Sequence, residues 1–164
     1  MLLEIKLAYD REDKVKELFI EYTNMLIKLD NKFSYCLELQ GYDDELKDLE
    51  VKYGKPYGRL YLATVDGEVA GCIALKKMND GKFCELKRLY VKPKFRGNHI
   101  AEKMVKQIIS DAKEIGYKYM LLDTLPYLQS AIHIYKKLGF YEIEVYNDNP
   151  MEDSIFMKLD LDEK

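Results

Sequence analysis

Glu85-Leu-Lys-Arg-Leu-Tyr-Val91, running on into Lys92-Pro-Lys-Phe-Arg-Gly-Asn-His-Ile-Ala101, is the stretch on which the fold of this chain turns. It reads as a strand, a basic turn and the start of a helix. Ile100, Met104, Ile108, Ala112 and Ile115 then recur at helical spacing, widened by Val105 and Ile109, and Gly116 stands where a helix commonly ends. The leading amides of a helix have no internal partner. The helix dipole adds roughly half a positive charge at the same point. Gly97 lets a ligand approach the main chain, and Lys94 and Arg96 add full charges. Such a turn suits a phosphate group.

Working outward, the strand breaks alternation: Cys84 and Leu86 share one parity, Leu89 and Val91 the other. A bulge near Lys87-Arg88 accounts for this, and so does burial on both faces. Arg59 to Val65 and Glu68 to Lys77 read as two preceding strands joined by Asp66-Gly67, a dipeptide favoured in tight hairpins. Asn79-Asp-Gly81 turns the chain into Phe83 to Val91, completing an antiparallel meander. Upstream, Leu3 to Tyr9 reads as a strand. Asp10 is placed to cap a helix with Glu12 and Asp13 in its first turn and Val15, Leu18, Phe19, Tyr22, Leu26 and Leu29 on one stripe. A polar loop follows, then a shorter helix over Asp43 to Tyr53, broken by Gly54-Lys-Pro-Tyr-Gly58. Downstream come a strand over Tyr117 to Thr124, a helix over Ser130 to Leu138 stopped by Gly139, and closing strands over Tyr141 to Tyr146 and Ile155 to Leu161. The expected class is α/β: a mixed sheet of about seven strands in one domain spanning residues 1–164.

The composition fits that expectation. Apolar residues make up 48% and charged residues 34%, ordinary for a globular chain. A net charge of −3 argues against broad nucleic-acid binding, so a basic turn in this setting points to a small anionic ligand. Cys36, Cys72 and Cys84 form no C-x-x-C pair and read as reduced thiols. The start of the chain lacks the pattern of a signal peptide, and no run approaches the ~18 apolar residues of a membrane span. A cytoplasmic protein is expected. His99 and His133 have no second ligand at metal-site spacing, so no metal is expected.

The order of elements, with Glu85 to Gly97 and the segment Ala131-Ile-His-Ile-Tyr-Lys-Lys-Leu-Gly-Phe140, resembles the GNAT superfamily of acetyl-CoA-dependent N-acetyltransferases over nearly the whole chain. Gln40-Gly-Tyr42, Leu122-Asp-Thr-Leu-Pro126 and Asn149-Pro150 resemble a bacterial subgroup. Two positions depart from the family pattern. His99 stands where glycine or alanine is usual, which calls for ordinary φ and a side chain pointing away from the pyrophosphate. Leu128 replaces an asparagine that holds the pantetheine arm in many members.

The resemblance implies that the amides of Arg96, Gly97, Asn98, His99, Ile100 and Ala101 receive the pyrophosphate of acetyl-CoA. It also implies that the edge at Leu89, Tyr90 and Val91 pairs with the pantetheine as a pseudo-strand. Thr124 and Ser130 are further candidates for the pantetheine arm, and Lys137 for a phosphate of the cofactor. An alkyl amine with pKa ~10.4 is free base in only about one part in a few thousand at pH 7. A carboxylate helps such chemistry by ~10²–10⁴-fold. Glu85 occupies the strand position where some members carry a catalytic glutamate, and Asp123 is the competitor on the next strand. Tyr135 stands where the family places the acid that protonates the departing thiolate; its helical stripe also fits a core tyrosine.

The acceptor, a small-molecule or peptide amine, is expected against Tyr22, Tyr35, Tyr42 and the loop from Tyr146 to Asn149. Direct transfer in a ternary complex is the expected route, since no histidine is placed to activate Cys84. Two alternatives stand beside it. A non-catalytic acyl-CoA-binding module would use the same turn. A nucleotide-binding domain would too, but the chain has no G-x-x-x-x-G-K-[ST] and no G-x-G-x-x-G after a strand. No membrane or nucleic-acid partner is expected, and a homodimer is left open.

Overall fold

Period-two patterning from Arg59 to Val91 gives three consecutive antiparallel strands with the bounds read from the sequence: β2 (Arg59–Val65), β3 (Glu68–Lys77) and β4 (Phe83–Val91). The computed structural model describes residues 1–78 and 80–161, so Asn79 of the second turn lies outside the described residues. Asp80 and Gly81 still show how that turn closes. The Asp80 carboxylate accepts from the amides of Lys82 and Phe83, and Gly81 adopts φ +74°.

The sheet has seven strands in the order β1-β2-β3-β4-β5-β7-β6, where β1 is Leu3–Leu7, β5 Tyr119–Thr124, β6 Tyr141–Ile143 and β7 Ile155–Asp160. Only β4 and β5 run parallel, joined by the crossover helix α5 (Ile100–Ile115). Every other neighbouring pair is antiparallel. One face packs Tyr61, Ile73, Leu75 and Leu86 against the α5 stripe of Ile100, Met104, Ile108 and Ala112. The other packs Leu60, Leu62, Cys72 and Ala74 against Val15, Leu18 and Phe19 of α1 (Glu12–Leu29). Alternation along β2 and β3 thus buries both faces under helices.

Several expectations are corrected. Asp10 does not cap α1; Arg11 holds the cap position and no side chain bonds there. The supposed polar loop contains α2 (Phe33–Leu39), which buries Phe33, Cys36 and Leu37 at helical spacing. The helix expected over Asp43 to Tyr53 is two, α3 (Tyr42–Lys47) and α4 (Glu50–Tyr53). Asp48 divides them: it is extended, and its carboxylate accepts the Glu50 amide. The closing helix α6 spans Gln129–Lys137, and the strand expected to reach Tyr146 stops at Ile143. Among the described residues no helix is long and apolar enough to cross a membrane.

Candidate active site

The parallel pair at the centre of the sheet separates along its length. Pairing runs from Phe83↔Tyr119 to Glu85↔Leu121 and stops there, although β4 continues to Val91 and β5 to Thr124. On its other side β4 stays bonded to β3 but slips register: Cys72 faces Tyr90 while Ala74 faces Lys87. The extra residue is the bulge read from the sequence parity, and Arg88 sits in it at φ +60°. The split opens a cavity of about 330 Å³. Leu89, Tyr90, Val91, Arg96 and Ala101 line it from the strand and turn, and Thr124, Ser130 and Tyr135 line it from the opposite side.

Between Arg96 and Ala101 the main chain is arranged for an anion. Gly97 and His99 both lie in the left-handed region, at φ +85° and +61°. From Gly97 to Glu102 no amide finds a backbone or side-chain acceptor among the described residues; the first helical bond is Lys103 N–H to His99 O, at 3.1 Å. Consecutive free amides in such a conformation form an anion-binding concavity at the positive end of the dipole. Asn98 steadies the turn by donating its side-chain N–H to Phe95 O at 3.0 Å. The expectation of ordinary φ at His99 is therefore wrong. The turn itself takes the left-handed conformation there, and the His99 side chain is exposed. Arg96 donates Nε–H to Val91 O at 3.0 Å, which keeps its guanidinium beside the strand end.

Tyr135 is buried, its ring 5.5 Å from Phe140, and its hydroxyl has no hydrogen-bond partner among the described residues. Burial, then Tyr22 and Asp123 nearby, pushes the phenol well above its ordinary range, so it stays protonated. Tyr22 of α1 also lines the cavity, and burial raises it to about 12.

The two candidate carboxylates differ in placement. Glu85 belongs to the last bonded pair of the split and is not on the cavity wall. Tyr146 donates to it at 2.6 Å, and Lys76 and Lys87 each approach to 4.0 Å. Asp123, two residues past the last pair on β5, does line the cavity. Asn147 and Asn149 both donate to its Oδ2, at 3.0 and 3.1 Å, leaving Oδ1 without a partner among the described residues.

Beneath the bulge, Arg88 makes a bidentate pair with Glu45 of α3, Nε to Oε2 and Nη2 to Oε1, both at 3.0 Å. Lys52 and the Tyr53 hydroxyl donate to the same carboxylate, each at 2.9 Å. Burial alone would raise Glu45; the bonds and charges of Arg88 and Lys52 outweigh it and hold the acid at about 2. Tyr42 lies under the Arg88 guanidinium at 5.2 Å and is not on the cavity wall.

Other expected residues fall away from the cavity. Tyr35 is 56% exposed, because α2 turns Phe33, Cys36 and Leu37 inward and leaves Tyr35 on its outer side. Lys137 reaches the first turn of α5 but is engaged there by Glu102 at 2.8 Å. Leu128 lines the cavity with an apolar surface where the family asparagine would offer an amide. Cys84 is fully buried and burial pushes its thiol up, so it supplies no thiolate for an acyl-enzyme route. Sequence reasoning passed over Glu45, Lys87 and Arg88 as site residues, although the Lys87-Arg88 bulge marked their place. Among the described residues no group of His, Cys, Asp or Glu is set to hold a metal.

A sheet split beside a phosphate-type turn suits an extended, phosphate-bearing ligand, and comparison with known proteins gives the family. The model of the acetyltransferase (GNAT) family matches residues 23–140. The chain belongs to that family and is an acetyltransferase. An uncharacterised N-acetyltransferase of Schizosaccharomyces pombe is 37% identical over 96% of this chain and 92% of its own length. A GNAT-family acetyltransferase from Staphylococcus aureus shares the fold at a TM-score of 0.74 and 23% identity, over 98% of this chain and 99% of that one. The PaiA N-acetyltransferase from Thermoplasma acidophilum, in complex with coenzyme A, does so at a TM-score of 0.70 and 18% identity, over 98% of this chain and 99% of that one.

Proposed function

We propose that this protein transfers an acetyl group from acetyl-CoA to a primary amine by direct attack within a ternary complex. One observation carries the reading: Arg96 and Ala101, from the turn whose amides are free over Gly97 to Glu102, the unpaired edge of β4 and the unpartnered Tyr135 all line one split in the sheet. A linear ligand with phosphates at one end and a thioester at the other fits that order of contacts. The coenzyme A bound to the Thermoplasma neighbour supports the same choice.

In this reading the cradle around Gly97 binds the pyrophosphate and the edge from Leu89 to Val91 bonds the pantetheine amides. The bulge aims a main-chain N–H at the thioester carbonyl, where negative charge develops. The acceptor nitrogen forms its bond to the acetyl carbon as the carbon–sulfur bond breaks. Its proton passes to Asp123 Oδ1, and Tyr135 gives its own proton to the departing sulfur. Glu85 serves chiefly to hold Lys87 and Tyr146 in place.

The test is thiol release from acetyl-CoA over a panel of amines, with calorimetry for coenzyme A binding. Asp123→Asn is expected to lower kcat by ~10²-fold or more and Glu85→Gln by much less. The reverse order would return the base to Glu85. Absence of coenzyme A binding would overturn the reading as a whole.

A further inference from the structure

Beside the carboxylate that takes the proton, the split carries a charged group, Lys87, that the transfer chemistry does not require. Lys87 and Asp123 each lie two residues beyond the last bonded pair, Glu85↔Leu121, and so on one face of the two diverging strands. Both line the cavity, yet no ion pair joins them among the described residues. Lys87 has little other satisfaction. Its side chain is only 11% exposed, Glu85 stands at 4.0 Å, and its one hydrogen bond goes to Gln40 Oε1 at 3.3 Å.

The same neutral oxygen also receives Arg88 Nη2, at 2.9 Å. Two cations therefore converge on an uncharged amide at the wall of a cavity. Arg88 is closely paired with Glu45 at 3.0 Å, whereas Lys87 has only Glu85, at 4.0 Å and shared with Lys76, as an anion on this side of the split among the described residues. A little-exposed cation paired at that distance and bonded to a neutral amide is poorly compensated, and an incoming anion at closer range improves it. Across the split Asp123 presents one oxygen with no partner among the described residues, its other oxygen clamped by Asn147 and Asn149.

We infer that the acceptor is a small amino acid: a molecule whose carboxylate docks on Lys87 beside Gln40 while its amine faces Asp123. The inference rests on the acetyl-transfer reading above and adds a substrate class to it. A plain amine or polyamine would place its charge well at Asp123 but would leave Lys87 with only Glu85 at 4.0 Å. A free carboxylate carried next to the amine satisfies both walls at once.

Thiol release from acetyl-CoA, measured for amino acids against their matched amides and decarboxylated amines, tests this. The free acids are expected to exceed their partners in kcat/KM by at least tenfold. Lys87→Gln should abolish that preference while coenzyme A affinity, read by calorimetry, changes less than twofold. Lys87→Arg should restore it, which separates charge recognition from a folding defect. Equal or better turnover of the amides, or a preference that survives Lys87→Gln, overturns the inference while leaving acetyl transfer intact. Failure of every amine to release thiol overturns both.

Discussion

His99 shows how a single residue can be strained by the job of its main chain. It sits at φ +61° in a turn where the neighbouring Gly97 takes φ +85°. A left-handed conformation costs a residue with a Cβ on the order of 1–2 kcal/mol. Glycine would remove that cost and lose part of the gain to unfolded-chain entropy, of about 0.4–1 kcal/mol. His99→Gly is expected to stabilise the protein by up to about 1 kcal/mol in urea unfolding, with coenzyme A affinity kept. Clear destabilisation would mean the imbalance lies in the imidazole's contacts. At the other end of the cavity, Tyr135→Phe should lower kcat tenfold or more with KM for acetyl-CoA nearly unchanged, as expected of a proton given only in the transition state. Because burial raises this phenol, it does not ionise on going from neutral to about pH 9. The pH profile of kcat should therefore show no falling limb from Tyr135 over that range.

At the scale of elements, the bulge of β4 and the short helices α2 to α4 behave as one unit through Glu45. Its acid is held at about 2 against an ordinary 4.5. A depressed folded-state value means that the pair stabilises the protein above about pH 4.5, and that this contribution is lost as pH falls toward 2. Acid unfolding should thus steepen across that window. Glu45→Gln should remove that slope and cost about 3–5 kcal/mol at neutral pH, since it strands Arg88 without its carboxylate. A loss below 1 kcal/mol in chemical denaturation would show that water reaches Arg88. The sequence was legible where period and punctuation agree. Asp66-Gly67 and strict alternation placed β2 and β3, and a parity slip marked the bulge. It was illegible where packing decides: the stripe Phe33, Cys36, Leu37 was present but short, and Asp48 ends a helix through a side-chain bond that no periodicity reveals.

On the scale of the whole molecule, the turn with free amides was readable and the wall proposed to meet the acceptor was not. The turn announces itself in consecutive residues, whereas Gln40, Lys87, Asp123 and Asn149 meet only after α2, β4, β5 and the loop before β7 have packed. Glu85, legible as a strand carboxylate, turned out to stand behind the wall because pairing persists through Leu121. A ligand bridging both strands should stabilise the sheet where it is open. At a concentration of 100 Kd, coenzyme A is expected to add about 2.7 kcal/mol to unfolding free energy. Hydrogen exchange should slow at Leu89 to Val91 and Gly97 to Glu102 rather than uniformly; uniform slowing would place the ligand elsewhere.

In the proposed arrangement peptide groups grip the donor and side chains choose the recipient, and this has an evolutionary corollary. Point substitutions rewrite side chains freely but leave peptide groups where they were. Descendants of such a chain can therefore change clientele one residue at a time, at Gln40 or Lys87, without losing hold of the donor on which every version of the reaction depends.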